Sequence, residues 1–367
     1  MTYISPDGAF GGPVRVALNQ AAALARRGHE VTVYAGAPDK AASVSLQEGF
    51  ELRTYPARKV LRAGGFASLV APQLVRALRK DVKEFDVAHV HLARDLVTIP
   101  AARTLLRARS KYVVQPHGMI DASSNPLAEP LDRFATRPIL RGALSVLALT
   151  DREMADIAEV DRSVRPRKIA NGVRVGDLPA YAGRDDIVLF LARLHVRKRP
   201  MAFVEMARML KDRLPTTKFV LVGPDEGEGP AVSNAIQASG MGNRLEWIGA
   251  VSPQKTSALM ASARAYVLPS FNEVFPMTIL EALQSGTPVV TTESLGIAAE
   301  CRAFGAARVT DGSPKQLAES TFELLTTDGQ VDSLRDGGLN YVRALLDIDL
   351  IAKELEGIYA MIEPGQP

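Results

Sequence analysis

Glu273 and Glu281, with seven residues between them, stand in the segment PSFNEVFPMTILEALQSGTPVV at 269–290. Ala265–Pro269 is an apolar run that predicts a buried strand. Ile279, Leu280 and Leu283 then fall on one helical face, and Gly286 followed by Pro288 stops the helix. Glu273 therefore belongs to the loop and Glu281 to the early helix, with Pro276 expected as the first helical residue. A helix start presents unpaired N–H groups, which attract phosphate. A carboxylate beside it would repel phosphate and instead accept hydrogen bonds from hydroxyls. Phosphate donors and two hydroxyl acceptors at one helix start describe a site for a nucleoside diphosphate sugar.

The elements that must hold such a site alternate along the chain. Val14, Ala17, Leu18, Ala21, Leu24 and Ala25 predict a helix over 14–27, which Gly28 ends before a strand at Val31–Tyr34. Short strands are expected at Asp86–His91, Lys111–Gln115 and Leu144–Leu149, and a short first strand at Thr2–Ser5. Thr150 and Glu153 have capping-box spacing at the start of a helix. A second series begins near Ile187. It predicts strands at 187–192, 218–223, 245–249, 265–269 and 288–292, separated by helices at 200–211, 230–239, 252–261 and 277–284. This rhythm predicts an α/β protein with two doubly wound parallel-sheet domains. Pro166, Gly172, Pro179 and Gly183 place the join within 165–185. The domains are drawn at 1–168 and 169–345, with a last helix over about 346–362 expected to pack back on the first. Ligands bind such sheets beyond the carboxyl ends of their strands.

Composition bounds the function. With 367 residues, 47% of them hydrophobic and 23% charged, the chain is long enough for two cores and is not a disordered protein. One cysteine, Cys301, excludes a disulfide scaffold and is expected to be a small buried apolar residue. No signal-peptide pattern and no long apolar run occur, so the chain reads as cytoplasmic. The net charge of +3 conceals +8 over residues 1–170 and −5 over the rest. From Leu52 to Lys80 there is no acid, while Arg53, Arg58, Lys59, Arg62, Arg76, Arg79 and Lys80 interleave with Leu61, Phe66, Leu69, Val70, Leu74, Val75 and Leu78. Such a segment suits an anionic membrane surface or an anionic acceptor; a solvated helix face is the plainer alternative.

The Glu273–Glu281 pair with SGTPVV resembles the donor-site signature of retaining glycosyltransferase family 4. The resemblance runs through the chain in the family's order: Gly11-Gly12, RRGHEVTVYAG at 26–36, DVAHVH at 86–91, Gln115-Pro116-His117-Gly118, Ala170-Asn171-Gly172-Val173 and ARLHVRKRP at 192–200. It implies the GT-B fold, with two Rossmann-like domains facing across a cleft. It implies a hexosyltransferase-type enzyme that moves a sugar from a UDP- or GDP-linked donor. The acceptor would be a hydroxyl of a glycan, lipid-linked or small-molecule substrate, in polysaccharide or glycoconjugate biosynthesis. No cofactor, metal or nucleic acid is implied. Arg193 and Lys198 would grip the diphosphate, where two fixed cations stabilise the leaving charge. Glu281 would hold the ribose hydroxyls and Glu273 the hydroxyls of the transferred sugar. Val274, Phe275, Pro276, Met277 and Thr278 would approach sugar and phosphates, and Val251 lies in the loop expected to read the base. Gly11 and Gly12 form a glycine loop whose backbone would come close to the phosphates. His117, at a strand end, would touch the sugar near the reaction centre. The acceptor would attack on the face from which the diphosphate leaves, with the departing phosphate taking its proton.

Other residues suggest different chemistry and carry less. Asp347-Ile348-Asp349 looks like a metal-binding Asp-x-Asp but stands at the start of the last helix, where capping is the better account. His89 and His91 share a strand face without a third ligand nearby in sequence. A nicotinamide dehydrogenase would need Gly-x-Gly-x-x-Gly after its first strand, which the loop DGAFGGP lacks. A nucleotide-sugar epimerase of the same fold and a non-catalytic sugar-nucleotide binder remain as rivals.

Overall fold

A computed structural model describes residues 3–4, 11–38, 41–60, 65–123, 125, 128–176 and 180–361. Leu61, Arg62, the side chain of Phe66 and the residues just before Gly11 lie outside them. The chain divides into two compact units. One holds the described residues up to Gly172 together with the C-terminal helix Ile348–Ala360; the other runs from Val173 to Asp347.

The first unit begins with α1 (Gly11–Arg26), followed by β1 (Thr32–Ala37), β2 (Ser43–Gln47) and β3 (Phe50–Pro56). The glycine pair expected in a loop instead opens α1. The physical reason is Pro13: in a first turn its missing N–H is one that has no intrahelical partner anyway. Strands β1 and β3 pair in parallel, while β2 adds to β3 antiparallel. Then come α2 (Pro72–Asp81), β4 (Ala88–His91), α3 (Thr98–Arg107) and β5 (Tyr112–Gln115). A helix over 128–142, α4, contains a π turn at Asp132–Thr136. It leads to β6 (Ser145–Ala148), α5 (Asp151–Val160) and β7 (Arg167–Lys168). Strands β4 to β7 form one parallel ladder in chain order.

The acid-free run is not one amphipathic helix. Its start belongs to β3, whose alternate residues Phe50, Leu52, Thr54 and Pro56 are buried. Arg53 on the other face pairs with Glu51 and Asp81. Among its described residues, Pro72–Asp81 alone is α-helical, burying Leu74 and Leu78 and exposing Arg76, Arg79 and Lys80, with a short 3-10 turn at Gly65–Ser68 before it. The C-terminal helix completes this unit: Ile348, Ile351, Ala352, Leu355 and Ile358 pack with Ala23, Leu24, Val113, Leu147 and Ile169. Asp349 pairs with Arg26 at 2.9 Å, and Glu356 receives Arg27 and His29.

The second unit is one six-stranded sheet. Its elements are β8 (Asp185–Leu191), α6 (Pro200–Leu210), β9 (Lys218–Val222), α7 (Gly229–Ala238), β10 (Leu245–Trp247), α8 (Pro253–Ser262), β11 (Ala263–Leu268), α9 (Met277–Gln284), β12 (Val289–Thr292), α10 (Ala298–Ala303), β13 (Arg308–Thr310), α11 (Pro314–Thr326) and α12 (Gln330–Tyr341). All neighbours are parallel, in the order β10-β9-β8-β11-β12-β13. Helices on both faces make the strands continuous apolar runs, with Val188, Leu189, Phe190, Phe219, Leu221, Tyr266 and Val267 buried. The order reverses between β8 and β11, and a ligand crevice opens at such a switch point.

Candidate active site

The two strands that flank the switch point deliver the charged residues. β8 ends at Leu191, and Arg193 follows. A short 3-10 turn at Val196–Lys198 is capped by His195, whose ring accepts from the Arg197 N–H at 3.1 Å. Arg199 then takes a left-handed conformation (φ 52°) to start α6 at Pro200. β11 ends at Leu268 and runs into the loop that carries Glu273. The two loops are stitched together. The Phe271 N–H donates to the Arg197 carbonyl at 2.8 Å, and the Arg197 guanidinium donates to the Asn272 carbonyl. The Asn272 backbone is itself left-handed (φ 51°). The Gly296 N–H donates to the Glu273 carbonyl at 2.9 Å.

Within this frame Lys198 Nζ donates to Glu273 Oε1, both side chains being largely buried. Glu273 Oε2 is buried and accepts from no protein donor among the described residues, and the same holds of the neighbouring Ser270 hydroxyl. A buried acceptor without a donor is a costly arrangement, met where a ligand completes it. Arg193 Nη1 lies 2.7 Å from each carboxylate oxygen of Glu226. Tyr266, buried below, has its hydroxyl 2.7 Å from Thr278 Oγ1 and 3.2 Å from the Leu191 carbonyl, which ties the start of α9 to the end of β8. Burial pushes its phenol well above the usual range, so it stays neutral.

α9 starts at Met277 with Pro276 as its N-cap (φ −75°), one position later than a helix with Pro276 as its first residue. No side chain caps this helix. At the cap, proline removes none of the first helical N–H donors. Thr278 and Glu281 stand three residues apart on one helical face. Gly223, at the end of β9, has φ 146°, and a Cβ there would meet the Ala192 carbonyl oxygen at 2.0 Å. Only glycine lets that strand end pass so close beneath the arginine loop. Val251 lies half-buried in the loop between β10 and α8.

In the first unit, His117 follows β5 with a left-handed backbone (φ 57°), as does Gly118 (φ 72°). Such backbone in a bulky residue is sparsely populated and marks functional sites. His117 Nε2 is 2.7 Å from His91 Nδ1, with the rings within 7° of parallel. The Gly118 N–H donates to Glu153 Oε1 at 2.5 Å and the Leu149 N–H to Oε2 at 2.7 Å. Thr150 accepts from the Glu153 N–H as the capping spacing requires, but the glutamate reaches Leu149 and Gly118 instead of the Thr150 N–H. Burial raises its carboxyl pKa against these donors.

The structure thus brings Lys198 and Glu273 into contact and joins Thr278 to their sheet through Tyr266. It keeps Arg193, Glu281, Val251 and the Val274–Met277 stretch in the same unit. His117 belongs to the other unit, as do Gly11 and Gly12; a Cβ on Gly12 would meet nothing within 4 Å. Sequence reasoning missed Glu226, Ser270, Tyr266 and Gly223. Glu226, Ser270 and Gly223 stand beyond strand ends, where the switch-point rule alone directs attention, and Tyr266 lies within β11, where it reads as a core residue. Of the other chemistries considered, Cys301 is buried, with its thiol pushed up to about 12 by burial. Asp347 forms a backbone β-bridge with Val173 just before the C-terminal helix. Among the described residues no three His, Cys, Asp or Glu side chains converge to hold an ion.

Comparison with known proteins sets this geometry in a class. The family model described as "Glycosyl transferases group 1" matches residues 180–338, and that described as "Glycosyl transferase 4-like domain" matches residues 11–172. The solved structure of Anabaena Alr3699/HepE in complex with UDP and glucose superposes with a TM-score of 0.72 at 18% identity, covering 97% of this chain and 98% of that one. Sucrose-phosphate synthase from Thermosynechococcus elongatus gives 0.71 at 19% identity, covering 99% of each. Both share the GT-B fold with this chain.

The chain belongs to the group 1, family-4-like glycosyltransferases and is an enzyme of the hexosyltransferase type. Among its relatives, a 2-deoxystreptamine N-acetyl-D-glucosaminyltransferase of Niallia circulans is 30% identical over 40% of this chain and 38% of its own length. A D-inositol 3-phosphate glycosyltransferase of Corynebacterium glutamicum is 24% identical over 88% of this chain and 85% of its own.

Proposed function

We propose that this enzyme transfers a sugar from a nucleoside diphosphate sugar to an acceptor hydroxyl, with retention at the anomeric carbon and without a metal ion. The observation that carries this is the Lys198–Glu273 pair at the switch point, with Glu273 Oε2 buried beside it and unpartnered among the described residues. A sugar hydroxyl supplies the missing donor. Lys198 and Arg193 meet the diphosphate, where cations in a fixed position stabilise the leaving charge. The departing phosphate oxygen takes the acceptor's proton, so Glu273 binds and polarises rather than attacks. Glu281 receives the ribose hydroxyls, the uncapped start of α9 receives phosphate, and His117 touches the sugar. A uridine nucleotide is the expected donor, as the neighbouring Anabaena structures are of complexes with UDP and with UDP-glucose.

For the acceptor we favour a small cyclic polyol, because relatives are a 2-deoxystreptamine and a D-inositol 3-phosphate glycosyltransferase. The exposed Arg58, Lys59, Arg76, Arg79 and Lys80 of the first unit suit an anionic form of it, or contact with an anionic membrane face. Among the described residues no helix is long and apolar enough to cross a membrane.

Thermal shift and calorimetry with UDP, GDP, ADP, dTDP and their sugar conjugates, with and without EDTA, test the donor site, since a ligand of the folded state raises its apparent stability. One nucleotide that binds equally in EDTA is expected. Binding by none, or binding abolished by EDTA, would overturn the proposal. Proton NMR of the product's anomeric signal tests retention.

A further inference from the structure

The first unit holds a feature that sugar transfer does not by itself require. His89 and His91, two residues apart on β4, stack ring on ring at 4.7 Å, and His91 continues edge to edge into His117. His89 Nδ1 is in turn 2.7 Å from the hydroxyl of Tyr359 on the C-terminal helix. His117 is fixed twice over. Its backbone is held left-handed, with Glu153 gripping the next N–H, and its ring is held by His91.

We propose that His91 is a positioning residue that locks His117 in one tautomer and leaves only its Nδ1 for a ligand. The proton balance is strict. A neutral imidazole carries one N–H, and between His91 Nδ1 and His117 Nε2 there is room for one proton. If His91 supplies it, the proton of His117 sits on Nδ1 and the ring is a donor outward. If His117 supplies it, Nδ1 is bare and the ring is an acceptor outward. Either way His117 cannot change tautomer alone while the pair is intact, because His91 would have to change with it. Burial lowers both imidazoles, His117 to about 3, so neither takes up a second proton near neutral pH. Second partners of this kind set the tautomer of functional histidines and are seldom visible in a motif.

That Nδ1 faces a sugar rests on the transferase proposal; the tautomer lock does not. The test is therefore made on the free, full-length protein. There are five histidines in the chain, so ring nitrogens are assigned from long-range proton–nitrogen spectra with His117→Ala as the reference. The expected result is one pyrrole-like and one pyridine-like nitrogen for His117 in the wild type. His91→Phe is expected to average the two as tautomers exchange. His91→Asn, which keeps a polar atom near the Nδ1 position, is expected to restore most of the split. A wild-type ring that is already averaged, or one unchanged by His91→Phe, would overturn the proposal. In turnover, His91→Phe is expected to lower kcat on the order of 10- to 100-fold with KM little changed. Loss of that turnover with the tautomer unchanged counts against the lock, and a shifted tautomer in a chain that binds no nucleotide leaves the lock standing and removes the transferase proposal.

Discussion

Lys198 and Glu273 reach one another from the ends of two strands that are neighbours in space but 75 residues apart in sequence. They meet where the strand order of the second sheet reverses. The lysine uses one oxygen of the carboxylate and leaves the other buried, with no donor to it among the described residues.

Removing either member should therefore harm more than its own contact. Lys198→Ala strands a buried carboxylate and removes a cation from the diphosphate. We expect kcat/KM to fall by about 10²–10³-fold, as when one stabilising donor is lost from an active site. Glu273→Gln keeps the shape and should lose less than Glu273→Ala. The double variant Lys198→Ala/Glu273→Ala should lose much less than the two single losses multiplied. Steady-state kinetics, with circular dichroism to confirm the fold, checks this, and full additivity would show that the two act independently.

Arg193 is held by Glu226 before any ligand arrives. Arg193→Ala should nearly abolish transfer. Glu226→Gln should instead tighten nucleoside diphosphate binding, because it removes a competing carboxylate. The pair is partly exposed, at 41% and 27%, so screening limits the gain to about 2–5-fold in Kd. Calorimetry reads it directly; weaker binding would mean that Glu226 orients the arginine instead of competing for it.

Gly223 carries no chemistry yet should be intolerant of change. Its backbone is one that L side chains rarely adopt, and an added Cβ would overlap the Ala192 carbonyl. Gly223→Ala should cost at least about 1–3 kcal/mol from backbone strain alone, visible as a lower Tm. It should also weaken nucleotide binding by moving Ala192 and Arg193.

Glu356 predicts an acid-sensitive joint between α1 and the C-terminal helix. Hydrogen bonds from Arg27 and then His29 hold its carboxyl down to about 2, against an ordinary 4.5. A depressed carboxyl pKa gives stability that is full above 4.5 and is lost as pH falls towards 2. The Tm difference between wild type and Glu356→Gln should therefore be present at pH 7 and shrink between pH 4.5 and 2. A constant difference would show that the carboxylate does not titrate with folding.

If the first unit contacts anionic membranes, replacing Arg58, Lys59, Arg76, Arg79 and Lys80 together by glutamine should reduce co-sedimentation with phosphatidylglycerol vesicles at low salt. Unchanged binding would assign these residues to solvent or to a soluble acceptor.

Much of this was legible because of burial. Strands covered on both faces spell unbroken apolar runs, as in IVLFLA, KFVLV and AYVLP, and these placed five strands of the second sheet to within two residues at each end, whereas the short edge strand Arg308–Thr310 carries no such run and was missed. Ser43–Gln47 is exposed along its whole length, so its alternation of Ser, Val and Leu marks no buried face and gives no strand signal. The basic run misled for a related reason. Leu52, Thr54 and Pro56 alternate as a strand does, but Arg53 between them and the cations that follow suited a helix face equally well, and only the long-range pairing of Arg53 with Asp81 decides. Glu273, Lys198 and His117 were visible because each follows a strand end. Glu226 and His91 matter only through what they touch, and sequence spacing does not report a contact between Arg193 and Glu226 or between His91 and His117.

The chain crosses from the first unit to the second at Gly172 and returns at Ile348, so the second unit is an insertion within the first. Synthesis from the N-terminus then imposes an order. The second unit is complete when Asp347 has been made, whereas the unit that began first still lacks Ile348, Ile351, Leu355 and Ile358 from its core. The older half must wait on the ribosome with Ala23, Leu24, Val113 and Leu147 uncovered until the last helix emerges. A truncation there would spoil the beginning of the protein, not its end.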